Sequence, residues 1–169
     1  MAEKVAIAYA TDHNALVIAS AGNAGSGKVS CPACDVNAIS VAATSWQDLL
    51  TYYSSYGRGL DISAPGGQCY SNTTPEGCIY SSYLAGGYAW LQGTSMAAPQ
   101  VTGTAAIVAS KNLTLRGATL RARLLNTTDD LGAAGYDTKF GWGRVNSYRA
   151  VTTSTLSESA ASPLVASTY

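Results

Sequence analysis

The sequence predicts an α/β fold built on a parallel sheet, and three observations carry that expectation. Short, continuous apolar runs stand at residues 15–20 ("ALVIAS"), 37–43 ("NAISVAA") and 60–66 ("LDISAPG"). Runs of this length are the mark of strands buried on both faces, which is how parallel strands lie. The segments between and after them include long stretches of helical spacing, above all residues 94–110, and strands alternating with helices belong to α/β architectures. A chain of 169 residues has the length of one ordinary domain and can bury a sizeable core.

Taken in order, residues 4–12 read as the end of an amphipathic helix. The run at 15–20 is closed by "AGNAGSG", the pattern of a fully buried strand running into a loop. The run at 60–66 is stopped by Pro65 and Gly66. Residues 94–110 are Ala, Val, Ile, Gly and Thr in a helical arrangement without charge, so this helix is expected to be buried on most sides. Thr114 is a candidate cap for a further helix through Arg116, Leu120, Arg123 and Leu124, with the leucines inward and the arginines toward water. From residue 152 the chain reads "TTSTLSESAASPLVASTY", rich in Ser, Thr and Ala and without period. The expected organisation is therefore one domain over residues 1–151 and a tail or linker over 152–169.

Ten basic and ten acidic residues give a formal net charge of zero, so nothing in the charge argues for nucleic acid or an anionic membrane as partner, and no nucleic-acid partner is expected. No apolar run approaches the roughly 20 residues of a membrane span. The N-terminus lacks the n-region and cleavage site of a signal peptide. Cys31, Cys34, Cys69 and Cys78 allow three pairings. The lone C-x-x-C of Cys31 and Cys34 suits disulfides or buried thiols better than a metal or redox site. Cys69 and Cys78 flank the turn-rich "YSNTTPEG", which a bridge would staple. That loop and the sequons at Asn72, Asn112 and Asn126 lean toward an exported, extracytoplasmic protein.

The stretch "GTSMAAPQVTG", residues 93–103, raises the question of chemistry. A serine hydroxyl attacks only when a base takes its proton and donors hold the oxyanion that forms. At the start of a helix Ser95 would have unpaired N–H groups and the positive end of the dipole beside it. The plainer alternative is a capping serine. "GTSMA" is a near miss for the G-x-S-x-G elbow of α/β-hydrolases, but there the histidine follows the serine. The only histidine is His13, so that assignment fails.

The sequence resembles the subtilisin-like serine protease family. "GTSMAAPQVTG" looks like its serine motif, and "VIASAGNAG" at 17–25 like its strand leading to an oxyanion asparagine. "LLNTTDDLG" and "FGWGRVN" resemble its closing segments. The resemblance implies a three-layer parallel sheet with helices on both faces. It implies Ser95 as nucleophile, Asn23 as side-chain oxyanion donor, the Ser95 N–H as second donor, and Gly93 and Thr94 in support. Ser20, Ala21, Gly22, Ala24 and Ser30 would line the pocket for the residue before the cleaved bond. Cys31–Pro32 would be a cis step. No cofactor is required, but a weak calcium site would lie between residues 33–38 and Asp61, unless Asp61 only caps a loop by hydrogen bonds. Gln100 stands where the family commonly has histidine.

The family's aspartate and histidine precede the oxyanion asparagine, and only 22 residues precede Asn23 here. They hold no "HGTH"-like motif, and His13 falls on a connection away from the serine. The expectation is the C-terminal part of a serine endopeptidase domain. The N-terminal strands of its sheet are missing, its natural partners are that N-terminal part and a peptide or protein substrate, and alone it is inactive. The rival is a non-catalytic pseudoprotease or structural remnant that binds without cutting.

Overall fold

The computed structural model describes residues 2–70 and 75–153. The Asn72 sequon and most of the Ser/Thr/Ala-rich tail, residues 154–169, lie outside them. The order is α1 (Ala2–Asp12), β1 (Val17–Ser20), β2 (Ala38–Thr44), β3 (Ile62–Pro65), β4 (Ile79–Ser82), a 3-10 turn (Leu84–Gly86), β5 (Tyr88–Leu91), α2 (Thr94–Lys111), α3 (Gly117–Leu125) and α4 (Ser147–Thr152). The strands β1, β2 and β3 form a parallel sheet in that order, with Val17 opposite Ala38 and Val41 opposite Ile62. All seven residues of β2 are buried. This is the central strand, and its continuous small apolar sequence fits a strand covered on both sides.

Alternation divides the core in two. Ile39, Val41, Ala43, Ile62 and Ala64 face α2, whose Ala97, Val101, Ala105 and Val108 pack on them, backed by Leu120 and Leu124 of α3 and Ala150 of α4. The opposite face is built from smaller groups, Ala21, Val29, Ala33, Ala42 and Leu60, carried largely by loops, while α1 packs beside β1. The helix α2 runs back along the sheet. Thr94 lies near the residues that follow β1, and beyond Lys111 the chain reaches Gly117, whose N–H bonds the carbonyl of Asn14 just before β1.

Four features depart from the sequence expectation. The strand β1 is half-exposed along its length rather than fully buried, because it pairs with β2 alone and is an edge among the described residues. Arg116, not Thr114, precedes α3, its N–H bonded to Thr119 Oγ1, while Thr114 closes a turn onto Asn112 Oδ1. Arg123 does not face water: it is 6% exposed and donates to the carbonyls of Ala150 and Thr153 at the end of α4. The fourth is an antiparallel hairpin of β4 and β5 that the reading did not include. It pairs Tyr80 with Trp90 and Ser82 with Tyr88, and these rings stack outside the sheet. Cys69 and Cys78 are bridged as expected, Cys31 and Cys34 are bridged to each other, and the Cys31–Pro32 peptide is cis.

Candidate active site at the C-terminal end of the sheet

In an open α/β sheet, ligands gather beyond the carboxyl ends of the strands. Asn23 follows β1 at that end, and Ser95 opens α2 beside it; both are exposed. Between them stands Thr94, fully buried. Its N–H and its hydroxyl donate to Asn23 Oδ1 at 2.9 and 2.8 Å, and its hydroxyl accepts the Gly22 N–H at 3.3 Å. A carboxamide whose oxygen is fixed by two donors has its Nδ2 direction fixed as well.

The Nδ2 has no acceptor among the described residues, nor has the Ser95 N–H, which sits in the first turn where a helix leaves donors orphaned. The two converge on Gly93. A Cβ built there would lie 3.5 Å from Asn23 Nδ2 and 3.7 Å from the Ser95 nitrogen. Gly93 also has φ of 151°, a conformation that side chains other than glycine's rarely adopt. The missing side chain thus leaves space for a third atom between two N–H donors.

Neighbouring segments hold this corner in place. The Gly93 N–H bonds the Gly66 carbonyl at 2.9 Å. The hydroxyl of buried Tyr53 donates to the Gly67 carbonyl, and burial pushes that phenol up. Gln100 reaches from α2 to the carbonyl of Pro65 at 2.6 Å, so the glutamine ties the helix to the end of β3. The roles of Tyr53 and Gln100 went unread in the sequence, because their partners are backbone carbonyls of a distant turn.

The expected pocket residues follow β1 in a row. Ser20 ends the strand; Ala21 is buried in the second core cluster; Gly22, at φ 107°, lies so close to Ser30 that a Cβ would come within 2.3 Å of Ser30 Oγ. The Ser30 N–H bonds the Ala21 carbonyl at 2.8 Å, and the Ala24 N–H reaches Ser55 Oγ at 3.4 Å. Ser30 is therefore brought against the Asn23 loop.

His13 is not brought there. It is exposed on the turn after α1, with Nδ1 2.8 Å from the Tyr9 carbonyl and its ring 4.0 Å from the Tyr9 ring. It precedes β1, whereas Asn23 follows it, so the strand separates the two. Asp12 is exposed at the same far end.

Asp61 does not fit a cation site. Its carboxylate accepts the Ser40 N–H and hydroxyl at 2.8 and 3.0 Å and Arg121 Nη2 at 2.6 Å. Arg121 Nη1 also takes the Ala38 carbonyl at 2.9 Å. The guanidinium occupies both the carboxylate and a carbonyl of the segment expected to share a metal. Burial pushes the Asp61 carboxyl up, opposed by Arg121 and Ser40.

Comparison with known proteins places this geometry in context. Residues 1–143 match the family described as the subtilase family, Peptidase S8. Thermitase of Thermoactinomyces vulgaris is 40% identical over 146 residues, 86% of this chain and 47% of that protein. Subtilisin Savinase of Lederbergia lenta is 40% identical over 141 residues, 83% of this chain and 48% of that one. The chain thus spans about half the length of these relatives. A lanthipeptide protease structure superposes with a TM-score of 0.79 at 29% identity, covering 89% of this chain and 54% of the other. A protease from Pseudoalteromonas arctica superposes at 0.78 and 30% identity, covering 88% and 45%.

Proposed function

Because the chain belongs to the subtilase family, we propose that it carries the nucleophile and oxyanion hole of a serine endopeptidase domain. Ser95 Oγ attacks the carbonyl carbon of a peptide bond. Its proton passes to a histidine outside these 169 residues, and the oxyanion is received by Asn23 Nδ2 and the Ser95 N–H. The same proton is delivered to the leaving amine, and water then hydrolyses the acyl-serine. Ser20, Gly22, Ala24 and Ser30 border the residue before the cleaved bond, and their small uncharged side chains suit a roomy, uncharged pocket; Ala21, expected among them, is instead wholly buried in the second core cluster. The substrate is a peptide or protein, and the setting is extracytoplasmic.

The observation that carries this reading is the pair of donors left free around Gly93, one of them fixed by Thr94. His13 gives no support as the base, since it lies at the other end of β1. An aspartate and a histidine must then reach Ser95 from polypeptide that packs at the β1 edge.

The test is labelling of Ser95 by a fluorophosphonate. The chain alone should remain unlabelled. Mixed with a polypeptide carrying the aspartate and histidine segments of thermitase, it should label at Ser95, and Ser95→Ala should abolish the signal. Absence of labelling in a stably associated mixture favours the non-catalytic module. Labelling of the chain alone that is lost on His13→Ala would overturn the assignment of the base.

A further inference from the structure

The C-x-x-C pair, which catalysis leaves unused, stands one residue from the pocket. Cys31 and Cys34 are both exposed and joined to each other, whereas Cys69 and Cys78, also joined, are half-buried. The bridged turn is held from below by Ala33, 1% exposed in the second core cluster, and by Val29. On its near side the Cys34 N–H bonds the Ser30 carbonyl at 3.1 Å, and the Ser30 N–H bonds the Ala21 carbonyl at 2.8 Å. Ser30 Oγ meanwhile lies against Gly22, the residue before Asn23. A chain of two hydrogen bonds therefore runs from the bridge to the segment carrying the oxyanion asparagine.

We propose that the Cys31–Cys34 pair is a thiol–disulfide exchange site for dithiol reductants, and that its redox state sets how firmly Ser30 is held against Gly22 beside Asn23. A thiolate of the dithiol attacks Sγ of one cysteine, forming a mixed disulfide and releasing the other cysteine as a thiolate. The second sulfur of the dithiol then displaces the first protein sulfur. The pair gains two electrons and two protons and becomes two thiols, and the dithiol leaves oxidised to a disulfide. Both cysteines are exposed residues, which favours this attack on the folded chain, since exchange depends on access. Once the four-residue ring is open, the turn keeps only Val29 and Ala33 as apolar anchors. Segments with few buried contacts open locally at low cost.

Only the description of this segment as part of a substrate pocket rests on the protease reading; the thiols and the backbone can be read without it, so either can fail alone. The folded chain is titrated with dithiothreitol, trapped with N-ethylmaleimide and mapped by mass spectrometry, with amide hydrogen exchange followed in parallel. Cys31 and Cys34 should become alkylated at a dithiothreitol concentration about tenfold below that needed for Cys69 and Cys78, as expected for the more accessible bridge. Ser30 amide protection should fall by about tenfold at the same step while α2 keeps its protection. The double variant Cys31→Ser with Cys34→Ser should show the low protection at Ser30 with no response to dithiothreitol. Opening of both bridges together only on global unfolding, or opening of Cys31–Cys34 with Ser30 protection unchanged, would overturn the proposal.

Discussion

At the N-terminal end of the β1–β2–β3 sheet the Asp61 carboxylate is held by Ser40 and Arg121, and Arg121 also holds the Ala38 carbonyl. At the C-terminal end Asn23 Nδ2, the Ser95 N–H and Ser95 Oγ have no partner among the described residues. One end closes its charges on each other, and the other keeps neutral donors open to solvent. Closed pairs secure a fold. Open donors on an exposed corner are hydrated, so they add little to stability and stay available to whatever arrives. The same sheet thus separates what holds the domain together from what would act on a substrate.

If that division is right, variants at the two ends should fail in different ways. The largest effect belongs to Asn23→Ala in the active protein. Removal of one oxyanion donor lowers kcat by about 10²–10³-fold, and KM should move little. Stability should fall by about 1–3 kcal/mol, because the buried Thr94 N–H and hydroxyl lose their acceptor; that loss with kcat unchanged would show that Asn23 is a structural strut alone. Arg121→Ala should lower stability alone. The pair is only 18% and 16% exposed, so leaving Asp61 unpaired costs roughly 3 kcal/mol, the lower end for breaking a buried pair. Urea denaturation checks this, with kcat expected to hold. Thr94→Val comes next, removing one of two donors to Asn23 Oδ1. At about 1 kcal/mol per hydrogen bond it should slow turnover roughly fivefold, with intact substrate affinity.

The smallest effect is one of pH. Asp129 feels some burial that raises its pKa, but Asn146, Arg144 and Arg149 outweigh it and hold the carboxyl below its usual range. A depressed folded-state pKa stabilises above the ordinary carboxylate range, and that stability is lost as pH falls through the depressed value. Asp129→Asn should therefore flatten the acid limb of the stability profile. It should leave the pH dependence of Ser95 labelling unchanged in a reconstituted mixture.

The legible parts of this molecule are those governed by local pattern. The buried strand β2 and the helix α2 follow from small apolar residues with one period, and the Asn23–Ser95 corner from glycine-flanked motifs that admit few backbones. What escaped depends on distant partners. Arg123 turns inward because the carbonyls of Ala150 and Thr153 end a helix beside it, and no spacing within α3 announces them. The hairpin escaped because its aromatic residues lie on an exposed face, with a connection that places Ala85 at φ 55° rather than a glycine. Arg121 escaped for the same reason as Arg123, and with it the competitor that takes Asp61 from a cation.

The central claim is that Asn23 Nδ2 and the Ser95 N–H receive one oxyanion. A crystal structure of the active protein carrying a phosphonate bonded to Ser95 Oγ tests it most directly. The account predicts a phosphonyl oxygen at about 2.7–3.1 Å from both nitrogens, over Gly93, with the Thr94 bonds to Asn23 Oδ1 retained. An adduct whose oxygen turns to solvent or to other donors, with Asn23 Nδ2 left unbonded, would contradict it.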